Sequence, residues 1–146
     1  MQNLSIASQL TLYGLLALIG LFALLLLVWQ IRVLRGEAMP NPDGSIDDWR
    51  QQKILFGLAF ADVLLVCPAT LAAIALAFLA PRWGHLLLAM IGFWLVYINF
   101  ATTATSLRFE TPKITLSWLL VFPAGAVLGL AYLAWAAAHF DAVFAR

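Results

Sequence analysis

Polar residues along this chain gather in short clusters, and the clusters separate four long apolar stretches at residues 10–34, 54–80, 86–107 and 114–138. About 20 apolar residues, rising 1.5 Å each, cross a hydrocarbon core of about 30 Å, so each stretch is predicted to be a transmembrane helix. The first ends on Trp29, Gln30, Arg32 and Arg35, an aromatic and basic interfacial anchor. Gly36 to Gly44, with Pro40, Pro42 and an Asp43-Gly44 pair, reads as turn. Ser45 is then placed as an N-cap with Asp47 and Asp48 in the first turn. On that reading the second helix starts outside the membrane, with Ile46, Trp49, Arg50 and Lys53 at or beyond the interface.

Pro81-Arg82-Trp83-Gly84-His85 makes a tight connection to the third span, which implies that spans two and three are antiparallel neighbours. Thr111 is expected to cap the fourth span, with Pro112 at its first position, and residues 139–146 form a short tail. The expected fold is an all-α integral membrane protein: an antiparallel bundle of four transmembrane helices, the second extended into the cytoplasm.

Composition agrees with the pattern. Of 146 residues, 64% are hydrophobic and 10% charged, against about 45–50% and 25% in soluble domains. The polar segments are too short to bury a core of their own, so a single domain covers 1–146. An A-x-A cleavage site and a basic leader region are both missing around the first apolar run, which is read as a retained span. Arg32, Arg35, Arg50, Lys53, Arg108 and Lys113 share one side, six of the eight basic residues, with Arg82 and Arg146 on the other. By the positive-inside rule the six-residue side is cytoplasmic and both termini are non-cytoplasmic. A bacterial inner membrane suits the compact loops. Net charge is +1 with no basic run, which excludes a nucleic-acid partner. A single Cys67 excludes an internal disulfide and a cysteine-based metal or redox pair.

Asp62 stands out as a carboxylate within the second span. At a helix centre such a group costs roughly 2.5 to 3.5 kcal/mol to insert, so a partner or a task is expected. Asp62 and Asn99 each lie eight residues from the cytoplasmic ends of their spans, at Ile54 and Leu107, which puts both about 12 Å inside. Thr102, Thr103 and Ser106 adjoin Asn99 at helical spacing. Pro68 and Pro123 leave the carbonyls of Leu64 and Leu119 without helical donors. Together these groups could form one polar pocket, read either as a network that sets helix register or as a site for a proton or small cation.

Small residues mark packing faces: Gly125 and Gly129 as a G-x-x-x-G in the fourth span, and Ala69, Ala73 and Ala77 in the second. Such faces close a bundle internally or make a homo-oligomer, and the internal reading is preferred. His85 and His139 fall on the non-cytoplasmic side, where a shared metal or haem is the sharper reading. Two ligands without an i, i+3 or i, i+4 partner fall short of that, so both are read as interfacial beside Trp83 and Trp135. Residues 39–50 align poorly with an EF-hand loop, with Met39 and Arg50 where carboxylates belong. No cofactor is implied, and no catalytic motif of the hydrolase, zincin or phosphate-loop kind is present.

The expected function is therefore non-enzymatic: a small membrane protein acting through helix packing, as an accessory or assembly subunit or a homo-oligomer in the lipid bilayer. The alternative is a small proton- or cation-linked transporter or channel using Asp62. A third reading is a membrane enzyme built at the cytoplasmic face from Asp47, Asp48, Arg108 and Glu110.

Overall fold

The computed structural model describes residues 4–38, 40–46, 48–109, 111 and 113–144. Four helical segments are long and apolar enough to cross a membrane: Ile6–Leu34, Leu55–Leu79, Pro81–Phe109 and Leu116–Ala138. Two of these are composite. The elements in order are α1 (Ile6–Leu34), α2 (Trp49–Ala61), a π-helical turn (Asp62–Val66), α3 (Cys67–Leu79), α4 (Pro81–Phe109), α5 (Leu116–Val121), α6 (Pro123–Ala138) and α7 (Phe140–Phe144). α1 packs on α2, the π-helical turn, α3 and α6, and α4 packs on α3 and α6, so sequential spans are neighbours around a ring.

Helix ends differ from the sequence expectation where a side chain is already engaged. α1 begins at Ile6, earlier than residue 10, because Ser5 caps it by accepting from the Ser8 N–H at 3.1 Å. It ends in a Schellman motif: Gly36, at φ 74°, donates to the Val33 carbonyl and Glu37 donates to that of Arg32. The same Arg32 pairs through its side chain with Glu37 at 2.7 Å.

Ser45 does not cap the second helix. Its N–H and hydroxyl both donate to Asp43 Oδ1, at 2.9 and 2.7 Å, in an Asx turn closed by Gly44 at φ 87°. With Ser45 committed to that turn the helix starts at Trp49, and the Asp48 carbonyl accepts from the Gln52 N–H. The expected contribution of Asp47 lies outside the described residues. The turn is anchored to the fourth span, since the Thr115 hydroxyl donates to the Pro42 carbonyl at 2.9 Å.

Thr115, not Thr111, caps that span: its backbone is extended and its oxygen accepts from the Trp118 N–H. Pro112, the expected first helical residue, lies outside the described set. Between spans two and three there is scarcely a loop. Ala80 alone leaves helical geometry, and Pro81, whose fixed φ suits a first turn, opens α4 directly. The C-terminal tail folds into α7, which rests on α4 and α6 and buries Val143.

The seam between α4 and α6 is close along its length. His85 meets Tyr132, Gly92 meets Gly129, Asn99 meets Gly125, and Ser106 meets Trp118 at the start of the fourth span. A Cβ added to Gly125 would fall on the Asn99 amide, and one on Gly129 would lie 2.5 Å from the Gly92 carbonyl oxygen. Glycine is required at both positions for the helices to approach this closely. Gly84, read from sequence as part of a polar connection, plays the same role for α3 and α4: a Cβ there would overlap the Ala77 backbone.

Candidate functional site

Asp62 is buried, and its partner is not Asn99. Gln30, in the last turns of α1, donates from Nε2 to Asp62 Oδ2 at 2.7 Å. The π-helical turn that Asp62 opens packs on α1, α2 and α3. Its geometry is seen in the Cys67 N–H, which donates to the Asp62 carbonyl five residues back, immediately ahead of Pro68. A proline removes a backbone donor, and a local π turn is one way a membrane helix accommodates that loss. The turn also adds a residue to the helical phase, rotating α3 by about 100° relative to α2.

That rotation explains a second correction. The face continuing from Asp62 runs through Cys67, Thr70, Ala73 and Ala77, all buried, whereas Ala69 is exposed. Ala73 and Ala77 belong to the packed face and Ala69 does not. The Thr70 hydroxyl donates to the Val66 carbonyl at 2.7 Å.

The other expected pocket residues are engaged elsewhere. Asn99 donates from Nδ2 to the Leu95 carbonyl in its own helix at 2.9 Å, while its amide fills the space left by Gly125. Thr102 donates to the Ile98 carbonyl and Thr103 to that of Asn99, each one turn back. Ser106 accepts from the Trp118 indole N–H at 3.3 Å. Leu64 and Leu119 lie on exposed faces. The single convergent pocket is thus replaced by separate pairs: Asp62 with Gln30, Asn99 with the α6 glycine, and Ser106 with Trp118.

Between α1, the end of the π-helical turn, α3 and α4 is a mostly apolar crevice of about 10 Å³, bordered by Phe22, Ala23, Val66, Cys67, Trp94 and Leu95 but not by Asp62. That is room for about one water molecule. Cys67 is fully buried there, a small apolar filler by environment.

The histidines form a different cluster from the one expected. His85 is fully buried rather than interfacial, with Nδ1 2.8 Å from the Tyr132 hydroxyl and its ring stacked 5.7 Å from Trp135. Its Nε2 is buried without a hydrogen-bond partner among the described residues. His139 stacks 4.7 Å from the same Trp135. Its Nδ1 lies 2.8 Å from the Trp135 carbonyl, which can only accept, so that nitrogen carries a proton, and its Nε2 lies 3.0 Å from the Ser8 hydroxyl. Trp135 donates to the Ser8 carbonyl at 3.1 Å, so this cluster ties the start of α1 to the end of α6. The two imidazoles thus stack on the same indole. Among the described residues no group of three or more His, Cys, Asp or Glu is placed to hold a metal.

Of the residues a cytoplasmic-face enzyme would need, Asp47 and Glu110 lie outside the described residues, the Asp48 backbone carbonyl accepts the Gln52 N–H at the start of α2, and Arg108 lies over the Phe109 ring at 5.8 Å. Compared with protein-family models, with curated proteins and with solved structures, the chain matches none.

Proposed function

We propose that this chain is a small polytopic membrane protein that acts through helix packing, as an accessory or assembly subunit or as a homo-oligomer. The observation that carries this reading is the distribution of polar groups inside the helices. Asp62, Asn99, Thr102, Thr103 and Ser106 are each engaged locally or by one neighbour, and none of them lines the small apolar crevice between α1, α3 and α4. Groups arranged in this way hold register and leave little liganding capacity directed at a common point.

The four spans are assigned as an antiparallel bundle, supported by pairs that run in opposite chain order: His85 with Tyr132 and Ser106 with Trp118, Gly20 against Ile74 and Gln30 with Asp62. The turns of α2 ahead of Leu55 are assigned to the cytoplasm on the bias of six basic residues against two. This places the termini on the far side of what we take to be a bacterial inner membrane.

Purification in mild detergent followed by reconstitution into lipid nanodiscs tests the reading. An assembly larger than one chain, or a co-purifying membrane partner, is the expected result. A strict monomer that binds nothing would overturn it.

One observation favours a second reading, a proton- or cation-linked carrier: the carboxylate at membrane depth sits in a π-helical turn, a feature frequent at functional sites, and its partner is a neutral amide. Gln30 belongs to the Trp29–Arg35 anchor, which places the pair nearer the headgroups than the 12 Å estimated for Asp62 alone would suggest, about 6 Å from the end of α1. Asp62→Asn in proteoliposomes separates the readings, since a carrier loses flux and a packing pair does not.

A further inference from the structure

α4 has two unlike faces. The buried one carries Gly84, Leu88, Gly92, Leu95, Asn99 and Ser106 and is spent on α3 and α6. The outer one carries Leu86, Met90, Phe93, Tyr97, Phe100 and Leu107, in steps of three, four or seven, all exposed. Steps of this kind keep one seam facing a partner helix along its whole length. α4 is also unbroken over 29 residues, whereas span two passes through a π-helical turn and span four stops at Phe122.

At the middle of the outer face is a polar group with nowhere to go. Tyr97 is 64% exposed, between Phe93 at 67% and Phe100 at 72%. It lies 11 residues after Leu86 and 10 before Leu107, the limits of the third apolar stretch, about 16 and 15 Å away and further than a tyrosine side chain reaches. Its hydroxyl makes no hydrogen bond among the described residues. Exposed residues toward the middle of the other spans, such as Leu21, Leu71 and Leu130, are hydrocarbon. Acyl chains offer a hydroxyl no acceptor, so its presence there calls for a covering surface with a polar atom at the same depth.

We infer that a second copy of this chain covers the outer face of α4, with the two Tyr97 hydroxyls bonded to each other across a twofold axis normal to the membrane. The choice of occupant rests on self-complementarity. A phenol both donates and accepts, and a copy inserted in the same orientation presents its own Tyr97 at the same depth. The interface rests on the helix-packing reading and names the partner for it.

Single cysteines in a Cys67→Ala background test the face: Met90→Cys, Phe93→Cys, Tyr97→Cys and Phe100→Cys on α4, with Leu21→Cys on α1 and Leu130→Cys on α6 as comparison positions. Oxidative cross-linking in native membranes is expected at the four α4 positions and not at the other two. In the otherwise unaltered chain, Tyr97→Phe is expected to weaken dimerisation in nanodiscs or vesicles, followed by energy transfer, by roughly three- to fifteenfold. Monomer melting should be unchanged. Cross-links confined to Leu21 or Leu130 would overturn this interface while leaving a homo-oligomer. A monomer free of cross-links but co-purifying with another membrane protein would overturn the dimer and leave the accessory-subunit reading. A dimer unaffected by Tyr97→Phe would overturn the role of the hydroxyl pair.

Discussion

The seams that α4 makes with α3 and α6 differ sharply from the one between α1 and the second span. Along α4, glycines sit where a Cβ would strike backbone or a fixed amide: Gly84 against Ala77, Gly125 against Asn99, Gly129 against Gly92. Along α1 the comparable position, Gly20, faces only the flexible tip of Ile74 at 3.3 Å, and a crevice remains between α1, α3 and α4. There, among the described residues, one side-chain hydrogen bond, Gln30 to Asp62, joins the two spans, beside apolar contacts such as Val33 with Ala59. The α4 seams are thus organised by missing side chains, whereas the seam between α1 and the second span combines ordinary apolar packing with a polar contact. Since lipid tails are as apolar as leucine, helix association depends on packing and hydrogen bonds, and the two kinds of seam use these differently.

The largest effect is expected at Gly84. Gly84→Ala drives a methyl group into the α3 backbone and forces α3 and α4 apart, costing about 3 kcal/mol, the upper part of the overpacking range, in detergent unfolding. Gly129→Ala should cost about 2 kcal/mol, because the Gly92 carbonyl cannot retreat without its helix. For Gly125→Ala the obstacle is a side chain, so combining it with Asn99→Ala should recover about 1 kcal/mol or more in a double-mutant cycle. An additive pair would mean that Asn99 does not fill the Gly125 notch.

On the α1 side, Gln30→Leu leaves the Asp62 carboxyl buried without its donor and should destabilise by about 1 to 3 kcal/mol. Asp62→Asn retains an oxygen acceptor and should cost less. Gly20→Ala should fall within about 0.5 kcal/mol of the parent, since Ile74 can shift its terminal methyl. If Gly20→Ala proves as damaging as Gly84→Ala, the contrast between the two kinds of seam is gone.

The smallest effect belongs to the first loop. Hydrogen bonds from the Ser45 hydroxyl and N–H hold the exposed Asp43 carboxyl below the ordinary Asp range. A carboxyl depressed in the folded state stabilises its turn above the unfolded value, and the contribution is lost as pH falls through the lowered one. Protection of the Ser45 amide, measured as its exchange rate against the intrinsic rate at the same pH, should therefore fall only on strong acidification.

Much of this architecture was legible in the residues. Four apolar spans, their approximate limits and the glycine motif at Gly125 and Gly129 are properties of single segments, readable from run length and spacing. The candidate site was legible only as a set of residue types. Asp62 and Asn99 were matched by depth, but depth is one coordinate of three. The direction in which each side chain points depends on helix rotation, which the π-helical turn shifts between Asp62 and Cys67.

Sequence by itself determined that the chain forms four apolar helices and that Asp62 needs a partner, because apolar length and the cost of an unpaired carboxyl are local quantities. Only the tertiary structure decided that the partner is Gln30, that Asn99 fills a glycine notch, that Ala69 leaves the packed face, and that Gly84 and Gly92 join the packing motif. Each of those outcomes turns on which helix faces which, and at what rotation. The reason is geometric: close approach and hydrogen bonding are settled within a few tenths of an ångström between segments far apart in the chain, where no single stretch carries the information.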